Sequence, residues 1–430
     1  MTRRAVAIAA VLGCALAVAP AALAEPRGPD RPFRTPVTGN ATERSQALGA
    51  MAQGTLSRRA KGLLRKLGGR VGAWAGDLET GETIFGFGAA RRIPIASNTK
   101  LFTTATALER FGPRGALVTR VAATAEPAAD GLLRGRLLLV GGGDPTLGAA
   151  GIGRLAKAVA ATGLRRVSGG LAFDDSVFDR RLRVPTHGVT GGPFLGSLSG
   201  LSLSGGWGAS GPLADPARAA AKMLVAKLAA RGVTVSGKVR RGLAGEETTA
   251  VTLAERQSPT VAQIAALTNK PSDNFVAEML VKSIGADAVG RGTTRAGMRL
   301  VRRHASSLGA RLRAENGSGL SRRNVASARG IGQLLRGIEQ AGSGVRNAFM
   351  DSLAVAGRDG TLAYRMRGSA AEGRCRGKTG TLDGVSALSG YCLRGTGEPV
   401  AFSILSDGVD TAASRLAQDR IVSLIARYAR

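Results

Sequence analysis

Cysteine, histidine, lysine and aromatic side chains are all scarce in this chain. Its 430 residues include three cysteines, two histidines and 4% aromatics. His187 and His304 stand far apart, with no cysteine or carboxylate at ligand spacing, so no metal is expected. Few aromatics are available to stack on bases, and no zinc-finger or basic-zipper pattern occurs, so no nucleic-acid partner is expected. Beyond the N-terminal segment, no stretch approaches the roughly 18 apolar residues of a membrane span. Acids are outnumbered two to one, 30 against 60 bases, and only ten of those bases are lysine. The net charge of +30 is dispersed. Arginine, alanine and glycine share GC-rich codons, so the charge reads first as composition bias. Electrostatic contact with anionic envelope polymers would follow from it.

What is present is a chain long enough for two or three domains, with 44% hydrophobic residues to fill their cores. Arg3-Arg4, the apolar run Ala5 to Val18 and the small-x-small site Ala22-Leu23-Ala24 read as a secretory signal over residues 1–24. Lipidation at Cys14 is the rival reading; the residues after Cys14 stay apolar, where a lipoprotein would turn polar. Either way the mature protein is expected outside the cytoplasm, in the periplasm or cell-wall space. With Cys14 in the signal, Cys375 and Cys392 remain, and a disulfide is the default there.

Residues 25–57, rich in proline, arginine and threonine, read as a flexible basic leader. Residues 58–115 begin a domain. Val71, Ala73 and Ala75 alternate up to a turn at Glu79-Thr80-Gly81-Glu82, and Ile84-Phe85 follow, which is a β-hairpin at a sheet edge. A helix opens at Ser97, with Leu101, Ala105 and Leu108 at helical spacing, and stops near Gly112-Pro113. Residues 116–250 alternate short apolar runs with glycine-rich turns, as expected of a mostly β insertion carrying one or two helices, one of them around Pro216 to Arg231. Residues 251–430 return to helices, including Asn274 to Ile284, and close with strands around 375–395 and 400–406 and a helix from Thr411. The expected class is α/β (α+β), a helix-and-sheet domain split by an insertion, its first and last strands sharing one sheet.

Three short motifs carry the chemistry. In Ser97-Asn98-Thr99-Lys100, a serine at a helix start and a lysine three residues on share one face. The helix N-terminus favours an anionic intermediate, and a desolvated lysine can take the serine proton. Ser272-Asp273-Asn274 precedes a helix; it can be a plain N-cap, or supply a second hydroxyl for proton relay and an amide for a substrate carbonyl. Lys378-Thr379-Gly380 lies in a strand, where Lys378 and Thr379 can bind a terminal carboxylate and Gly380 lets a peptide approach. Gly377-Lys378-Thr379 is not the end of a phosphate loop, because Glu372 stands where its first glycine belongs and a hairpin follows. A Ser-His-Asp triad is disfavoured, since neither histidine has a nucleophile motif to serve. Each motif alone is weak; together they occur in order, on the expected elements, with scarce lysines at both required places.

With these motifs in order, the chain resembles the penicillin-binding D-Ala-D-Ala carboxypeptidase/endopeptidase family, whose large insertion fits the step of 172 positions from Lys100 to Ser272. Further matches are Gly142-Gly143-Asp144-Pro145-Thr146-Leu147, Asp174-Asp175-Ser176, Gly317-Ser318-Gly319-Leu320-Ser321-Arg322 and Gly357-Arg358-Asp359-Gly360-Thr361-Leu362. One departure is Asn316, where the family usually has aspartate. The resemblance implies a transpeptidase-like antiparallel sheet with helices, and peptidoglycan stem peptides as substrate. It implies Ser97 as nucleophile, Lys100 as base and Ser272 as proton relay. Asn274 would hold the acyl chain, Lys378 and Thr379 the carboxylate, and the backbone N–H groups of Ser97 and Thr381 would form the oxyanion hole. No cofactor is implied, and β-lactams would acylate Ser97 as inhibitors. A β-lactamase or esterase on the same fold, or a non-catalytic envelope-binding protein, are the alternatives. The deacylating Glu-x-x-Leu-Asn loop of class A β-lactamases is not found.

Asp383-Gly384 is a strong two-residue hairpin turn. Counting outward from it puts Cys375 directly opposite Cys392 at a non-hydrogen-bonded site, where Cα atoms lie about 4.5 Å apart. The two cysteines are therefore expected to be joined.

Overall fold

The computed structural model describes residues 50–191, 194–246, 250–393 and 399–428. The signal and lipidation readings fall outside these residues. The first element among the described residues is helix α1, Ala50–Arg65. It takes in residues 50–57, which the sequence reading assigned to the leader. The correction has a plain cause: Leu56, Ala60 and Leu64 recur every four residues, and all three are buried.

Strands β1, Arg70–Asp77, and β2, Thr83–Phe87, form the expected hairpin. The Asp77 carboxylate closes its turn by accepting from the N–H groups of Glu79 and Thr80 at 2.8 and 2.9 Å. A single 3₁₀ turn, Ala96–Asn98, leads into helix α2, Thr99–Phe111, which stops at Gly112 with φ 70°.

The insertion follows. Strands β3, Val118–Ala123, and β4, Leu137–Val140, precede helix α3, Ala149–Ala161, and strand β5, Leu171–Asp174. Helix α4, Pro216–Ala229, strand β6, Val239–Arg241, and strand β7, Val251–Gln257, complete it. The sheet order is β6-β5-β4-β3-β7. Val121, Leu139 and Phe173 from the sheet share one core with Leu155 of α3 and Leu224 of α4. Strand β7 pairs antiparallel with β3, so the insertion's sheet ends at Gln257, past the boundary at 250 read from the sequence. Val251 and Leu253 flank the exposed Thr252, and the register then shifts between Thr252 and Ala254, so the alternation at that end is broken.

The chain then returns through helices α5, Val261–Asn269, α6, Asn274–Val289, α7, Thr294–Ser307, α8, Ala328–Glu339, and α9, Ser343–Asp351. Strands β8, Ala354–Val355, β9, Cys375–Leu382, β10, Val385–Leu393, and β11, Pro399–Asp407, precede helix α10, Thr411–Tyr428. These strands and the first hairpin make one antiparallel sheet, ordered β8-β9-β10-β11-β1-β2. The first and last strands do share it, through β1 and β11.

The sheet is covered on both faces, which is why β1 and β11 are buried along nearly their whole length. On one face Leu56 and Leu64 of α1 and Ile421 and Ile425 of α10 pack on Val71, Leu388 and Phe402. On the other, Trp74 lies against Gly332 of α8, where a β-carbon would stand 2.3 Å from the indole ring. Cys375 and Cys392 face each other across the β9–β10 hairpin and form the expected disulfide, with Cα atoms 4.0 Å apart.

Candidate active site

Ser97 sits in the 3₁₀ turn, one residue after Ala96, whose φ of 45° is a left-handed conformation that a side chain rarely adopts. The turn is held from below: the Asn98 side-chain nitrogen donates to the Lys378 carbonyl oxygen at 2.9 Å. The nucleophile turn and strand β9 are thereby tied together. Gly380 of β9 belongs to the same contact. A β-carbon there would lie 2.8 Å from the Ile95 carbonyl oxygen and 3.1 Å from the Ser97 nitrogen. The missing side chain of Gly380 thus gives room to the nucleophile turn.

One helical turn on, Lys100 is fully buried. Its Nζ donates to the Ser97 hydroxyl at 2.9 Å, to Asn274 Oδ1 at 2.7 Å and to the Ser318 carbonyl oxygen at 2.7 Å. Burial lowers its pKa from the ordinary lysine value to about 7, against the opposing charges of Glu278 and Asp273. Near neutral pH the group exchanges a proton readily, and its nearest hydroxyl is that of Ser97.

Asp273 caps α6, accepting from the Val276 N–H at 2.9 Å. Asp273 is thus the N-cap of the three, while Ser272 and Asn274 line a cleft of about 800 Å³ with Ser97 and Thr381. Ser272 is held at φ 66°. The Asn274 nitrogen donates to the Phe194 carbonyl oxygen at 3.2 Å, so a loop of the insertion reaches the cleft.

Lys378 is also fully buried, and its Nζ donates to the Thr379 carbonyl oxygen at 3.0 Å. Burial, and then the like charge of Lys100, hold its pKa well below the ordinary value. Beside it the Thr379 hydroxyl donates to that of Thr361, at 2.8 Å. The Leu393 N–H donates to the Arg374 carbonyl oxygen, which makes alternate pairs along β9 and β10 hydrogen-bonded. In that register, Thr381 is at a non-hydrogen-bonded position, its N–H turned away from β10.

Asn316, the departure noted in the sequence, is buried and closes its turn as an amide. Its Oδ1 accepts from the Gly319 N–H at 3.0 Å and from Asn324 at 2.9 Å, and its nitrogen donates to the Pro185 carbonyl oxygen at 2.7 Å. The histidines lie apart from these groups. His187 bonds Glu315, and His304 Nδ1 lies 3.0 Å from the Thr106 hydroxyl.

Sequence reasoning missed three participants. The Ser318 carbonyl oxygen is a backbone group inside a motif that was noticed without a role. Phe194 comes from a glycine-rich loop with no signal of its own. Glu278 had one: it is the only acid in the otherwise apolar run from Phe275 to Val281, one helical turn after Asn274.

A helix-borne serine with a buried lysine on its hydroxyl, between a helical layer and one antiparallel sheet, defines the class as serine-type peptidases of penicillin-binding architecture. By its sequence the chain belongs to the D-Ala-D-Ala carboxypeptidase 3 (S13) family, matched over residues 53–190 and 204–428. It is 35% identical to a D-alanyl-D-alanine carboxypeptidase of Actinomadura sp. (strain R39), over 82% of this chain and 80% of that one. Its fold is similar to that of penicillin binding protein 4 (dacB) from Haemophilus influenzae, with TM-score 0.72 and 20% identity over 84% of this chain and 97% of the other. The structure of that protein complexed with a novel β-lactam matches over the same shares, with TM-score 0.69 and 19% identity. The chain is a serine-type D-Ala-D-Ala carboxypeptidase.

Proposed function

We propose that the acyl-transfer step runs on Ser97, Lys100 and Ser272, with D-Ala-terminated stem peptides and D-Ala cross-links as substrates. Lys100 takes the Ser97 hydroxyl proton as Oγ bonds to the carbonyl carbon of the penultimate D-Ala. The resulting oxyanion is held by the Ser97 and Thr381 N–H groups. The C–N bond then breaks, and the leaving amine receives the proton through Ser272. Water hydrolyses the Ser97 ester, releasing the shortened peptide as a carboxylate. Asn274 donates to the acyl chain of the substrate, whose carbonyl replaces that of Phe194. Lys378 and Thr379 hold the terminal carboxylate, whose negative charge favours the protonated Lys378 that burial and Lys100 disfavour in the free site.

One observation carries this reading: the Lys100 amine lies 2.9 Å from the Ser97 hydroxyl with a pKa of about 7, as a general base for serine requires. β-Lactams, which present a strained amide beside a carboxylate, would acylate the same serine. The family's substrate puts its work outside the cytoplasm; export through cleavage after Ala24, and attraction of the basic chain to anionic envelope polymers, belong to this proposal. Intact-protein mass spectrometry after penicillin treatment tests it. One acyl group should be added to the wild type and none to Ser97→Ala. An adduct on the alanine variant, or no adduct on either, would overturn it.

A further inference from the structure

Helix α6 carries three polar side chains at four-residue intervals in a largely apolar face: Asn274, Glu278 and Lys282. Residues so spaced share one side of a helix. Asn274 meets Lys100. Lys282, fully buried, bonds Asp179 of the insertion and donates to the Arg181 carbonyl oxygen at 2.7 Å. Glu278 lies between them in the sequence and is itself fully buried. Its Oε1 accepts from the Ser318 N–H at 2.7 Å, while its Oε2 has no hydrogen-bond partner. The residue it grips is the one whose carbonyl oxygen receives the Lys100 ammonium.

We propose that Glu278 is a positioning residue for Lys100: its buried carboxylate pins Ser318, against which Lys100 is held, and supplies a negative charge that the buried lysine senses. This rests on the reading of Lys100 as the general base. A carboxylate with no full ion pair is costly to bury, and nothing about packing α6 requires one. An acid is useful there because the ammonium groups of Lys100, Lys282 and Lys378 all approach the same interior. Three charged groups bear on Lys100: Glu278 on α6, Asp273 at its N-cap and Lys378 on β9. Lys282 is influenced in turn by Asp179, Glu278 and Arg181. Burial pushes the Glu278 carboxyl up, opposed by the Ser318 hydrogen bonds and by the charge of Lys100.

The test is the pH profile of penicillin acylation in wild type, Glu278→Gln, Glu278→Asp and Lys100→Ala, with thermal unfolding as a control for folding. Glutamine keeps an acceptor for the Ser318 N–H but removes the charge. A negative charge nearby stabilises the protonated lysine, so its removal lowers the Lys100 pKa and enlarges the neutral fraction at acid pH. The acid limb of the Glu278→Gln profile should move about one unit to lower pH. Aspartate keeps the charge and loosens the grip on Ser318, so the limb should stay in place while the plateau rate falls several-fold. A glutamine profile that superimposes on the wild type, or an aspartate limb displaced toward acid, would overturn the proposal. If glutamine does not fold, the aspartate limb alone decides it. The premise is tested separately: a Lys100→Ala variant that acylates at the wild-type rate would remove the base reading. A dead alanine variant beside an unmoved glutamine limb would remove only the role of Glu278.

Discussion

Gly319 presses against Ala96 so closely that a β-carbon on the glycine would stand 2.0 Å from the Ala96 carbonyl oxygen and 2.8 Å from the Ser97 nitrogen. Gly319 has φ 92° and Ala96 has φ 45°, so both sides of the contact use left-handed backbone. The pair sets where the nucleophile turn can rest. We expect Gly319→Ala to lower stability by about 2 kcal/mol or more, since clash and strained φ add. Penicillin acylation should fall about 100-fold, because a displacement near 1 Å at a reacting atom has that effect. Denaturant unfolding and acylation kinetics check the two parts, and a variant matching wild type in both would mean the turn yields freely.

The rate of acylation should depend on pH through Lys100. In the proposed mechanism the neutral amine is the active form, and its pKa is about 7. Acylation should therefore rise as pH passes upward through 7, and fall about tenfold for each unit below it. A profile of kcat/KM for a D-Ala-terminated peptide that stays flat from about pH 5 to about pH 8 would contradict this.

Replacing Lys378 with alanine should weaken peptides that carry a free terminal carboxylate. A hydrogen bond to a charged group contributes about 1.5–3 kcal/mol, so kcat/KM should drop roughly ten- to hundredfold. An amidated peptide should react poorly with the wild type and lose little more in the variant. Equal losses for both peptides would assign Lys378 another task.

The disulfide closes a loop with a sequence separation of 17. In the chain-entropy account, a loop of that size contributes about 3 kcal/mol. The double variant Cys375→Ala with Cys392→Ala should unfold at correspondingly lower denaturant. It should also acylate more slowly, since the joined strand carries Lys378. Thiol titration of the denatured, unreduced wild type should find neither cysteine reactive.

The parts legible in the sequence were those whose determinants lie close together. Asp383-Gly384 set the β9–β10 register because a two-residue turn leaves no freedom, and the cysteine pairing followed. Ser97 and Lys100 could be paired because three residues of helix bring them to one face. The missed contacts join distant segments: Ser318 meets Lys100 across 218 residues, and Phe194 meets Asn274 across 80. The start of α1 was misjudged because the proline- and arginine-rich leader gives way to helix inside an alanine-rich stretch, where composition shifts gradually. The end of the insertion was misjudged because β7 is a half-exposed strand whose partner lies 130 residues back, at β3.

Strand β1 is made early and its neighbour β11 late: Arg70 pairs with Asp407, 337 residues further on. The insertion can bury its own core from contacts inside it as soon as it emerges, whereas the sheet holding Lys378 and the floor of the Ser97 turn cannot close until the last strand arrives. Contacts so distant in sequence form slowly and late, and chains of this size assemble in stages. A chain that ends before β9 therefore has Ser97 and Lys100 three residues apart, but no β9 to tie down the turn. Serine and lysine thus become neighbours by local folding, but the strand that fixes their turn, through the Asn98 bond to Lys378, waits for partners that come much later in the chain.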